Sequence, residues 1–308
     1  MADHPERARP SEPRRPNYLL HAGLFAATCA TTYAAGGLAF SATLMTILVV
    51  HEMGHYVAAR IHGVPASLPF FVPLPPQISL GTLGAVIKMD EPIVDRNKLI
   101  DVGAAGPLAG LVAAIPLLAI GLWLSPLSAT PTEGTYLEGN SILYIALKYL
   151  ITGQYLPAAD GTDVVLHPMA FAAWVGLLIT MINLIPIGQL DGGHVARAFL
   201  GNRHERFSGQ LHWALLAVGV SVAGYLAYDA HAGGFSSGVM LRQAAAGGMP
   251  WLVGASMLLV MRWMSGGAYH PPVGDAALTP ARRRLVVLTA VVFVLIFTPI
   301  PLRPALIP

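Results

Sequence analysis

Residues 44–63 read LMTILVVHEMGHYVAARIHG, an apolar run with His51, Glu52 and His55 set inside it. Polar side chains at that depth are costly to bury unless something satisfies them. The rest of the chain supplies the context. Of its 308 residues 55% are hydrophobic and only 11% charged, where a soluble domain carries about a quarter charged residues. The mean hydropathy is +0.60. Apolar runs near 18–37, 39–60, 99–124, 168–187, 208–229, 244–264 and 285–302 predict an all-α polytopic membrane protein of about seven transmembrane helices. The lipid bilayer is therefore an expected partner, and no nucleic-acid partner is expected.

Lys and Arg set the orientation. With the N-terminus in the cytoplasm, the tail arginines, Arg60 with Lys88, Arg96 and Lys98, Arg197 with Arg203 and Arg206, and Arg262 with Arg282–Arg284 all fall inside. Only Lys148, Arg242 and Arg303 are left outside. A multi-pass protein of the cell (inner or plasma) membrane is the expectation. Span 244–264 is the weakest, because Gly247, Gly248 and Pro250 interrupt its start; the charge count favours a full crossing. Ala34, Ala35 and Gly36 follow the first apolar run as in a signal peptide, but a charged lead without a clean cleavage pattern favours a retained span. The single cysteine, Cys29, excludes an intrachain disulfide.

Between the spans, two connections are more than turns. GTLGAVIKM (81–89) is β-prone and Gly-punctuated, which predicts a small membrane-associated strand or hairpin between the second and third helices. Because Gly weakens a strand interior, the uninterrupted pairing run is expected at Ala85–Met89. Residues 125–167 form an outer loop with a short helix at 140–151, too short for an independent domain of about 100 residues. The domain reading is a disordered cytoplasmic tail (1–17), one transmembrane domain (18–302) with its core at 39–205, and a short C-terminal tail (303–308).

His51 and His55 lie four residues apart, so on a helix they share a face and reach one metal ion, with Glu52 beside them to take a proton from water. That is the logic of H-E-x-x-H zinc hydrolases. Roughly 0.01 such matches arise by chance in a chain of this composition. A catalytic zinc ion takes a third protein ligand and keeps one open position. MINLIPIGQLDGGH (181–194) supplies the candidate: Asp191, at the cytoplasmic end of the fourth span, reaches the depth of the two histidines. Pro186 and Gly188 break the helix there, and Gly192–Gly193 permit close backbone approach. Asp191 also reads as an ordinary cap of the following short helix. Glu91 is a rival third ligand, disfavoured by Pro92. Gly106 and Gly110 form a GxxxG frame, which reads first as helix packing and second as the wall of a substrate path.

HEMGH in a membrane span, with Asn183, Pro186 and Leu190-Asp191-Gly192, resembles the site-2 protease family of intramembrane zinc metalloproteases, whose pattern HExxH plus NxxPxxxLDG is complete here. DVGAAGPLAG (101–110), GTLGAVIKM and HPPV (270–273) are similar to further segments of prokaryotic members. The resemblance implies a zinc metalloendopeptidase holding one Zn2+ on His51, His55 and Asp191, with Glu52 as general base and transmembrane proteins as substrates. It implies that Asn183 positions substrate or stabilises the oxyanion; a buried Asn joining two helices is the alternative. Neither a PDZ domain nor a CBS pair, present in some members, fits this chain. The 81–89 strand, through Ala85, Val86 and Ile87, is expected to bind the unwound substrate by edge pairing; a plain structural hairpin is the alternative. His194 reads either as a neighbour supporting the site or as a cap or surface histidine. A metal transporter with an intramembrane His/Asp site is the competing function.

Overall fold

The computed structural model describes residues 17–77, 79–89, 91–129, 136–158 and 160–306. The expected disordered tail thus lies, except for Asn17, outside the described residues. The first helix, α1 (Tyr18–Ile61), starts where the Asn17 side chain accepts a hydrogen bond from the Leu20 amide. It breaks at Gly37, whose φ of 77° suits a residue without Cβ. The halves fold back on each other: Ser41 Oγ bonds the Cys29 carbonyl (3.1 Å) and meets Thr32 Oγ1 at 2.7 Å. Each half corresponds to one of the first two apolar runs.

Two strands follow, β1 (Phe70–Pro73) and β2 (Thr82–Val86), paired antiparallel with Phe71 opposite Ala85 and Phe70 opposite Val86. The first half of α1 carries them. His21 Nδ1 donates to the Pro69 carbonyl (3.0 Å), Phe25 meets Phe71 edge-on, and Thr31 Oγ1 donates to the Gly81 carbonyl (2.6 Å). The strand differs from the expected Ala85–Met89 run at both ends. It begins earlier because Gly84 takes a φ of +101°, and Thr82 Oγ1 accepts from the Gly84 amide while donating to the Val72 carbonyl. It stops at Val86, so Ile87 lies beyond it. The register sets Ile87 against Pro69, which has no N–H to give to the ladder. Pairing resumes only as an isolated bridge between Ala66 and Met89.

The central helix α2 (Arg96–Trp123) is capped by Asp95, whose carboxylate accepts from the Asn97 and Lys98 amides. Beyond it come β3 (Leu127–Ala129), β4 (Tyr136–Glu138), α3 (Ile142–Thr152) and β5 (Thr162–Val164). β3 pairs with β5, and β4 pairs with β6 (Leu302–Pro304) near the chain end. α4 (Pro168–Asn183) and α5 (Asp191–Leu200) follow. α6 (Arg203–Ala232) and α7 (Ser237–Met264) then pack antiparallel, with Gly247 against Leu226 and Val222, and Gly248 against Ala223 and the Gly219 carbonyl. The glycines that weaken span 244–264 as a sequence are thus its packing seam, and α7 runs unbroken through them. α8 (Pro280–Ile296) ends earlier than the apolar run to 302, because Phe297 turns extended and Pro299 and Pro301 follow.

The chain is mostly helical, with small two-stranded sheets. Among the described residues, α1, α2, α6 and α7 are long and apolar enough to cross a membrane, by length and composition. α4 and α8, at 16 and 17 residues, are shorter. Leu38, Val112 and Trp263 stand 73%, 74% and 80% exposed on long helices, an outward apolar surface that suits hydrocarbon better than water. Inside, Leu44, Ile47, Leu48, Leu118, Trp174 and Met181 form the core between the second half of α1, α2 and α4. Arg282 clamps the start of α8 to Asp101 of α2, with Nη2–Oδ2 at 2.6 Å.

Candidate metal centre

The second half of α1 carries His51, Glu52 and His55, all buried. α2 lies against them on its smallest residues. Gly110 faces His51, and a Cβ there would come within 3.1 Å of the ring. Gly106 faces His55, and a Cβ would land on the imidazole itself. The GxxxG frame is therefore a packing seam laid directly over the two histidines. It also orients one of them. The Val102 carbonyl of α2 accepts from His55 Nδ1 (2.7 Å), which leaves the His55 lone pair on Nε2.

Asp191 arrives from the other side. After Asn183 the chain leaves helical geometry, turns at Gly188 (φ 60°) and re-enters a helix at Asp191. Gly192 sits against the Leu184 carbonyl, and Gly193 against the carbonyls of Ile187 and Gly188. No side chain fits there, so the two glycines let α5 start tucked under the end of α4. Asp191 is not the cap; the residue at that position is Leu190. Its carboxylate faces the histidines instead, Oδ2 at 3.2 Å from His51 Nε2 and Oδ1 at 3.2 Å from His55 Nε2.

The two Nε2 atoms are also 3.2 Å apart. Ligands on a tetrahedron with bonds of about 2.0–2.1 Å stand about 3.3 Å from one another. Two imidazoles and a carboxylate at that spacing fit a zinc ion in donor type and in distance. Among the described residues this is the one group of three such side chains close enough to share an ion. Glu52, 4% exposed, interacts electrostatically with all three. Asn183 Nδ2 lies 3.5 Å from His51 Nε2, at the margin of the group. Glu91 is exposed and stands outside it. Ala85, Val86 and Ile87 belong to the hairpin on the first half of α1, not to the cluster.

A profile of peptidase family M50 matches residues 39–226. The chain belongs to peptidase family M50. His51, Glu52, His55, Asn183 and Asp191 all lie inside the matched segment. The relatives include the chloroplastic probable zinc metalloprotease EGY2 of Arabidopsis thaliana, 35% identical over 174 residues, which are 54% of this chain and 29% of that protein. The chloroplastic probable zinc metalloprotease EGY1 of Oryza sativa subsp. japonica is 31% identical over 182 residues, 58% of this chain and 30% of the relative. The match therefore spans less than a third of either relative. No solved structure matches.

Beyond the M50 match lies His270, the first residue of the HPPV segment, to which the sequence alone assigns no role. Its Nδ1 donates to the Pro271 carbonyl (2.8 Å), so its Nε2 accepts from His194 Nδ1 at 2.7 Å. Burial first, then the facing His270 ring, holds His194 down at about 3, and burial lowers His270 as well. Both stay neutral at physiological pH, as this directional bond needs. His194 is thus neither a cap nor a free surface histidine. It fastens α5, three residues after Asp191, to the segment that follows α7.

Proposed function

We propose that this chain is an intramembrane zinc metalloprotease that hydrolyses peptide bonds within or near the transmembrane segments of membrane proteins. The observation that carries the proposal is the convergence of His51, His55 and Asp191 at tetrahedral spacing, with Glu52 buried beside them. These three residues hold the metal. A zinc ion supplies Lewis acidity, which brings water within reach of deprotonation near neutral pH. Glu52 takes the proton from the attacking water and returns it to the leaving amine. Asn183, at the rim, orients the peptide carbonyl with its amide N–H.

The apolar runs support seven crossings: two from α1 about Gly37, and one each from α2, α4, α6, α7 and α8. The distribution of Lys and Arg supports a cytoplasmic N-terminus, with the metal site toward the cytoplasmic side of the cell membrane. Residues 18–302 act as one protease domain on this reading, with the catalytic core at 39–205, the tail 1–17 cytoplasmic and 303–308 a C-terminal tail.

A substrate helix hides its amides and carbonyls in its own hydrogen bonds and must unwind before cleavage. β2 pairs with β1 on one edge only, among the described residues. The other edge, at Ala85 and Val86 and continuing to Ile87, holds the unwound segment by backbone pairing.

Cleavage of a membrane-anchored reporter by the purified protein in proteoliposomes tests both ideas. A zinc chelator should stop cleavage and added Zn2+ should restore it; cleavage that survives complete metal removal sinks the metalloprotease assignment. In the same assay Ile87→Pro, beyond the last β1–β2 pair, should lower the rate roughly tenfold without loss of zinc, through one missing backbone hydrogen bond. An unchanged rate removes the edge-pairing role and leaves the hairpin structural.

A further inference from the structure

The first turn of α6 and the last turn of α7 meet at one end of their antiparallel pair, around a cavity of about 740 Å³. Arg203, Arg206 and Arg262 line it, against the single carboxylate of Glu205. That carboxylate is already engaged: it accepts from the Tyr269 amide (3.0 and 3.2 Å) and faces Arg262 Nη2 at 3.9 Å. Arg262 is held in place, with Nε donating to the Gly267 carbonyl (2.7 Å) and its guanidinium 4.4 Å from the Tyr269 ring centre. Arg203 and Arg206 are exposed, and no described residue pairs with either. The cavity therefore presents two free guanidinium groups and one fixed one.

Two further features point to the ligand. The first turn of α6 has no side-chain cap at Asn202, and Asn202 and Arg203 both line the cavity, so the positive end of the helix lies beside it. Exposed Phe207 lines the cavity, and exposed Trp263 and Met264 follow Arg262 in the last turn of α7, apolar and aromatic residues of the kind that mark the boundary between headgroups and hydrocarbon. Planar fork donors beside a helix N-terminus match a phosphate better than a single carboxylate. Phe207 in the lining and the apolar end of α7 beside it favour a phosphate that enters on a lipid rather than from solution.

We infer that this cavity binds the phosphate of an anionic phospholipid headgroup. The inference rests on the membrane reading above and not on proteolysis, so it stands or falls by lipid binding alone. The test is native mass spectrometry of the purified chain in detergent, titrated with phosphatidylglycerol or phosphatidylcholine. The wild type should retain phosphatidylglycerol in preference, and Arg203→Gln/Arg206→Gln should bind it roughly 30-fold more weakly. Arg283→Gln/Arg284→Gln removes the same charge from another exposed site and should leave binding unchanged. Both double variants should keep the zinc content and helicity of the wild type. Equal phosphatidylglycerol binding by wild type and the Arg203/Arg206 variant overturns the site. An equal loss in the Arg283/Arg284 variant overturns it too, since binding would then follow charge alone. Glycerol 1-phosphate and inorganic phosphate form the second arm. Saturable binding of either without lipid, lost in the Arg203/Arg206 variant, overturns the lipid source in favour of a soluble phosphate.

Discussion

Glu52→Gln is expected to lower cleavage roughly hundred- to ten-thousand-fold, the range a general base contributes, while zinc stays bound. The substitution keeps the shape of a side chain that is 4% exposed, and Glu52 is not among the three converging ligands. An amide nitrogen cannot take a proton from water, so the chemistry fails while the centre remains assembled. The outcome separates two functions. If zinc moved across proteoliposomes in both wild type and variant, and neither cleaved a reporter, the centre would be a transport site. Zinc lost together with activity would make Glu52 a ligand and revise the proposed roles.

Gly106→Ala is expected to be nearly as damaging, for a different reason. The added methyl would occupy the position of the His55 imidazole, where α2 touches α1. Overpacking a close helix contact costs about 1–3 kcal/mol. Here the strain falls on a ring whose Nδ1 bond to Val102 aims Nε2 at the centre. Most of the zinc, and cleavage with it, should be lost. Gly110→Ala is the control, because its methyl would meet His51 at 3.1 Å or more, a contact a slight shift relieves. Wild-type zinc content in Gly106→Ala would show that α2 does not confine the site as described.

The local chemistry was legible in the sequence because it depends on local geometry. Four-residue spacing puts His51 and His55 on one helix face wherever that helix sits. Asp191 was reachable by counting spans and comparing depth, and the structure brings its carboxylate to both histidines. Other features depend on what meets across space. A GxxxG frame signals close approach, but nothing in it says that Gly106 would lie on a histidine. Gly84 reads as a strand breaker by propensity, yet β2 runs through its positive φ with a one-residue shift of register, and the strand stops where Pro69 fails to donate. The fold-back of α1 depends on Ser41 meeting Thr32 and Cys29 across the break. His270 is 76 residues from His194, so their bond leaves no trace in motif spacing.

If His51, His55 and Asp191 together hold one zinc ion, the zinc content per purified chain must depend on all three. One zinc per chain is expected in the wild type and in Glu52→Gln, and little or none in Asp191→Ala. A full complement of zinc in Asp191→Ala would contradict it.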